Sequence, residues 1–157
     1  MPNWCVGTLK IRGKFDDIVR FFKEGCETIR PGSVNIGLDD YGLCIEGVDS
    51  ADSVLYLKGS PRHFIDLRYD SIYCEREVTD KNGLCYTSCM LRAAWSISPL
   101  DLLDKCEQYG LDMKILGFES GMEFNQSIEI VGGEIVQDEL IKYNDYFWEC
   151  PCPNLGG

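Results

Sequence analysis

The chain has 157 residues, enough for one domain with its own core and no need of disulfide staples. Hydrophobic residues make up 45% and charged residues 26%, which excludes long disordered stretches. Fifteen Lys and Arg face 26 Asp and Glu, so the net charge is −11, a field that repels nucleic acid and anionic membranes and favours basic partners.

From Cys5 to Arg12 the pattern alternates, with Leu9 and Ile11 on one face and Lys10 and Arg12 on the other, which predicts a half-buried strand. Gly13 ends it. Phe15, Ile18, Phe21 and Phe22 then fall at helical spacing, and Asp16 and Asp17 suit the first turn of a helix that stops at Gly25. Residues 26–53 are punctuated by Pro31-Gly32, Gly37, Gly42 and Gly47. They predict a long irregular insertion with one short strand around Leu43 to Ile45. Val54 to Leu57 reads as a buried strand, Gly59-Ser60-Pro61 as a turn, and Phe64 to Tyr73 as an imperfect strand.

Asn82-Gly83 is a hairpin signal. After it Cys85, Thr87, Cys89, Leu91, Ala93 and Trp95 share one face of a long strand. Ser98-Pro99-Leu100-Asp101 opens a helix, with Ser98 as N-cap, Pro99 in the first position and Asp101 as the capping-box acid. Gly110 closes it. Met113 to Leu116 is a strand, and Gly132-Gly133 joins the two arms of a last hairpin, placing Ile130 opposite Ile135 and leaving Glu129 and Glu134 on the other face.

The sum is α+β: an antiparallel sheet with two helices on one face, compatible with an embellished ferredoxin-like arrangement. Residues 1–142 are expected to form the domain and 143–157 an aromatic, acidic tail. No apolar leader follows Met1 and no apolar run is long enough to span a bilayer, so a cytoplasmic location is expected.

Four sets of residues invite a chemical reading. The nine cysteines are odd in number and scattered, which suits free core thiols in a reducing compartment. Cys85 and Cys89 stand about 13 Å apart along a strand, too far for one ion. Cys150 and Cys152 are close enough to chelate but lack nearby co-ligands. The single histidine, His63, follows Pro61-Arg62 and reads as a turn or surface residue. A Cys–His pair with it is uninformative among nine cysteines. Glu119 and Glu123 flank Gly121 as a carboxylate pair, a coincidence expected among 26 acids. Tyr69, Tyr73 and Tyr86, with Arg68 and Arg76, are the material for a base-stacking sheet, but the net charge opposes nucleic-acid binding. No catalytic, metal or cofactor set is therefore expected.

Charge is uneven as well as large. From Glu119 onwards there are eight acids and one base, Lys142. The bland reading is a solvated face; the functional one is an acidic surface for a basic target, built from Glu119, Glu123, Glu129, Glu134, Asp138 and Glu139. In the tail, Tyr146 and Trp148 stand beside Tyr143 and Phe147. Such aromatics either dock the terminus on the core or anchor a partner.

Met1-Pro-Asn-Trp-Cys5 before a short strand, Ala94-Trp95-Ser96 running into Ser98-Pro99, and Gly117 to Phe124 before a hairpin with Gly132-Gly133-Glu134 occur in that order. Together they resemble the YubB ferredoxin-like proteins of phages and conjugative plasmids. Ser98 replaces a second proline, and Asn125-Gln126 replaces a small residue. The resemblance implies a ferredoxin-like domain carried on mobile elements and no iron–sulfur cluster. With the acidity, it implies a non-catalytic protein that binds a basic host protein or nucleoprotein complex. An inhibitor of a defence system, such as a CRISPR or restriction nuclease, is the concrete form. The rivals are an assembly protein that makes homo-oligomers through its aromatic tail, and a small cysteine-dependent enzyme.

Overall fold

The computed structural model describes residues 1–48 and 51–157; Asp49 and Ser50, within the expected insertion, lie outside the described residues. In chain order the elements are β1 (Trp4–Gly13), α1 (Phe15–Glu24), β2 (Cys26–Thr28), β3 (Val34–Leu38), β4 (Gly42–Gly47), β5 (Val54–Leu57), β6 (Ser60–Asp66), β7 (Ile72–Glu75), β8 (Cys85–Ala94), α2 (Pro99–Tyr109), β9 (Asp112–Glu119), β10 (Phe124–Val131), β11 (Glu134–Lys142) and α3 (Tyr146–Glu149). Eight strands form one antiparallel sheet in the order β11-β10-β9-β1-β8-β6-β5-β2. β3, β4 and β7 form a second antiparallel sheet. The class is α+β as expected, but the sheet is far larger than a simple ferredoxin-like one.

The alternation in β1 is obeyed: Cys5, Leu9 and Ile11 are buried while Thr8 and Lys10 are exposed. Phe15, Ile18, Phe21 and Phe22 of α1 bury against that face with Leu102, Cys106 and Tyr109 of α2. Each such large side chain contributes about 1.5–3 kcal/mol on leaving water. Leu43, Ile45, Ile72 and Cys74 of the second sheet join the same core.

Residues 26–48 are not irregular. They supply β2, β3 and β4. β3 is half-buried or exposed at every position, so its alternation is faint. Gly42 is not a breaker but a close approach: a Cβ there would sit 2.2 Å from the Cys74 carbonyl oxygen of the paired β7. Phe64 to Tyr73 likewise divides into β6 of the large sheet and β7 of the small one. The switch is pinned by Asp66, whose carboxylate accepts from Arg68 at 2.9 and 2.5 Å and meets Arg92 Nε at 3.2 Å.

Asn82-Gly83 does turn the chain, with Asp80 N–H donating to the Leu84 carbonyl at 2.8 Å. Only the bridge Thr79–Cys85 flanks it, because β7 pairs with β4 and β8 with β1 and β6. Gly132 and Gly133, at φ +60° and +76°, make the tight turn between β10 and β11, and Ile130 faces Ile135 as expected. Among the described residues no helix is long and apolar enough to cross a membrane.

Candidate protein-binding surface

Residues 1–5, 94–99 and 117–124 meet at one end of the large sheet. Trp4 pairs with Ala94, and Val6 pairs with Phe118. Trp95 N–H donates to the Asn3 carbonyl at 2.8 Å. The turn at Gly121 lies against the Asn3 side chain. Asn125 and Gln126 are structural ties at the same end. Gln126 holds Ile97 by two bonds, accepting its N–H at 3.0 Å and donating to its carbonyl at 2.9 Å. Buried Asn125 receives the tail: it accepts from Tyr146 Oη at 3.2 Å and Cys150 Sγ at 3.5 Å and donates to Tyr143 Oη at 3.0 Å.

Trp95 is corrected by the structure. It was expected on the buried face of the long strand, but β8 ends at Ala94 and Trp95 takes φ +71°. The left-handed backbone flips the indole outward, where 54% of the residue is exposed. Such a conformation costs a bulky L-residue about 1–2 kcal/mol, and the half-exposed residue is not a core residue that would require it. Glu123, in the β9–β10 turn, is the other non-glycine residue at positive φ among those described, at +58°. Both strained residues flank this one end of the sheet. Strain of this kind concentrates where presentation of a side chain matters.

Two of the expected surface residues are buried. Glu119 is fully enclosed. Its carboxylate accepts from Gly121 N–H at 2.9 Å and Met122 N–H at 2.6 Å, so it builds the turn that carries Glu123 rather than meeting a partner. Tyr146 is 2% exposed and packs with Phe118 and Cys150, its hydroxyl pushed to higher pKa by burial. It docks the tail. Its neighbours Phe147 and Trp148 point away, at 59% and 86% exposure, and Met122 is 64% exposed. Asp145 caps α3 by accepting Trp148 N–H at 3.3 Å. At this end of the sheet Trp95, Met122, Phe147 and Trp148 are each exposed, as are the acids Glu123, Asp145 and Glu149.

The remaining acids do not form one continuous face. Glu129 is half-buried and bound to Lys114 at 3.3 Å. Glu134 and Glu139 lie on the open face of β11, while Asp138, opposite Ile128, lies on the helix face. These acids line the free edge of the sheet, where like charges discourage pairing with another copy of the chain.

His63 is also corrected. It is fully buried, not a surface residue. Its Nε2 accepts Ser98 N–H at 2.9 Å, which fixes the proton on Nδ1, and Nδ1 lies 2.5 Å from Ser60 Oγ. Ser60 Oγ in turn donates to Asp101 Oδ2 at 2.5 Å. Serine, histidine and aspartate therefore meet, but in the wrong order for a nucleophile: the imidazole has no lone pair left for the serine proton. The cluster instead pins the N-terminus of α2 to β6. Asp101 completes this chain and not the expected capping box, while Ser98 Oγ still caps Asp101 N–H at 3.3 Å.

Burial lowers the His63 pKa below its ordinary value; Asp101 opposes this weakly and Arg62 adds to it. The unfolded chain therefore binds a proton, below about pH 6.5, that the folded chain does not. Stability is full above that pH and falls as pH drops toward the folded value. Because His63 is the single histidine, urea midpoints of the native chain should decline from pH 7.5 to 5.5, and His63→Gln should flatten the slope. Equal slopes in both would refute the assignment.

All nine cysteines are free thiols, seven of them buried. Burial pushes Cys5, Cys89 and Cys106 up to about 12, which makes them poor nucleophiles at neutral pH. Cys150 is buried and Cys152 exposed, so the pair does not converge on one ion. Among the described residues no group of three His, Cys, Asp or Glu side chains is placed to hold a metal.

Comparison with family models, with curated proteins and with solved structures gives no match to this chain.

Proposed function

We propose that the chain is a non-catalytic binding protein and that the end of the large sheet bearing Trp95 and Trp148 engages a basic protein. The observation that carries this is Trp95: a tryptophan held in a left-handed conformation, outside the core, at the same end of the sheet as strained Glu123 and the docked tail. Tryptophan anchors ringed by charge are the usual composition of an energetic hot spot. The acids Glu123, Asp145 and Glu149, in a chain of charge −11, favour a positively charged partner and speed its encounter.

The inner strands β9-β1-β8-β6, with α1 following β1 and α2 following β8, run in the order of the fourth, first, third and second strands of a split βαβ core. That order supports reading the fold as a heavily embellished ferredoxin-like domain, with β2 to β5, β7, β10 and β11 as additions. It thereby supports the resemblance to phage and plasmid proteins. In its concrete form the partner is a nucleic-acid-binding defence protein of the bacterial host, occupied at its basic groove.

The test is a pull-down from bacterial lysate at low and high salt, with the native chain and with the double variant Trp95→Ala, Trp148→Ala. Loss of two anchors at about 2 kcal/mol each lowers affinity by several hundred-fold or more. The reading requires a nucleic-acid-binding protein retained at low salt by the native chain and lost by the variant. Identical catches from both chains, or none containing such a protein, would overturn it. The rival reading, a homo-oligomer made through the tail, requires self-association in sedimentation that Trp148→Ala abolishes.

A further inference from the structure

The open face of the large sheet holds a concavity of about 560 Å³, further along the same strands from the tryptophan end. Its floor is β1, β8, β9 and β10, and Tyr73 of β7 and Tyr86 of β8 stand on its wall as exposed rings. The volume lies in the range of small-molecule sites.

Its three bases and three acids balance in sum but not pair by pair. Arg12 is held by Asp112 at 2.7 Å and faces Asp80 at 3.7 Å. Lys114 is held by Glu129 at 3.3 Å. Lys10 has no carboxylate partner among the described residues. It stands directly opposite Lys114 in the β1–β9 register, and both are exposed on the same face. Like charges in direct cross-strand pairs destabilise a sheet. In a chain with 11 more acids than bases, two lysines set against each other on a groove floor, one of them uncompensated, select for an anion between them. The tyrosine rings select for a planar group beside it.

We propose that this groove binds a small aromatic anion of the nucleotide class, its phosphate between Lys10 and Lys114 and its base against Tyr86 or Tyr73. The overall negative field restricts the ligand to a small molecule and disfavours a long strand. This site is separate from the proposed partner surface and does not depend on it.

Calorimetric titration of the full chain with adenosine monophosphate, adenosine and inorganic phosphate tests the assignment. The monophosphate should bind at least tenfold more tightly than either fragment. Lys10→Gln should weaken the monophosphate by about tenfold, the loss of one charge-assisted contact, and leave adenosine unchanged. Lys23→Gln, on the exposed side of α1, should change nothing. The urea midpoint of Lys10→Gln should equal or exceed that of the native chain, since the variant removes a repulsion. The proposal is overturned by undetectable binding of the monophosphate, by binding no tighter than phosphate alone, or by equal effects of Lys10→Gln and Lys23→Gln. Tighter binding of a ten-nucleotide single strand than of the monophosphate would also overturn it, because the ligand would then be a polymer.

Discussion

Replacing His63 by Ala should destabilise the fold by about 2–4 kcal/mol. The fully buried imidazole is the acceptor for Ser98 N–H and the donor to Ser60 Oγ. Its removal leaves a partly buried backbone donor without its partner and a cavity between β6 and α2. Either loss alone is costly; together they loosen the start of α2, whose Leu102 and Cys106 sit in the core. Urea unfolding should show a lower midpoint with an unchanged slope. Ser60→Ala, which leaves the Ser98 bond intact, should cost less, about 1 kcal/mol. A loss below ~0.5 kcal/mol for His63→Ala would mean that the cluster is not a clamp.

Glu119→Ala should cost about 2–3 kcal/mol, because the N–H groups of Gly121 and Met122 lose a charged acceptor inside the protein. Glu119→Gln should recover only part of this, since an amide offers one oxygen to two donors. By contrast, Glu134→Ala on the exposed edge should fall within ~0.5 kcal/mol of the native chain. Thermal or urea midpoints of the three variants separate these outcomes. Equal effects of Glu119→Ala and Glu134→Ala would restore Glu119 to the surface role that its position in the acidic run suggested.

The contrast between these two glutamates marks what the sequence can and cannot reveal. Periodicity identifies β1, α1, the long strand β8, α2 with its Ser98 cap, and the Gly132-Gly133 hairpin, because each is long or has local chemistry that defines it. β2 and β3 escape detection because they are short and lie at a sheet edge, whereas β4, central in its sheet, shows through as the short strand expected at Leu43 to Ile45. Gly42 looks like punctuation until the neighbouring Cys74 carbonyl is in place.

Site residues follow the same division. Charge is legible, but burial of Glu119 depends on how the Gly121 turn folds back. Ser98 lies 35 residues from His63, and no local pattern joins them. Trp95 satisfies the strand alternation on paper; only the end of β8 at Ala94 turns it outward. The one available signal was its place in a segment already singled out by the family resemblance. Three such segments distant in the chain meet at one end of the sheet, which their order alone could not reveal.

The most direct test of the partner surface is hydrogen exchange of the full chain, free and in complex with whatever protein it retains from the host lysate. The account predicts slowed exchange at residues 2–4, 94–97, 120–124 and 145–149, and little change along β2 and β3. Protection confined to β2, β3 or the helix face, with residues 94–97 and 145–149 exchanging as in the free chain, would contradict it.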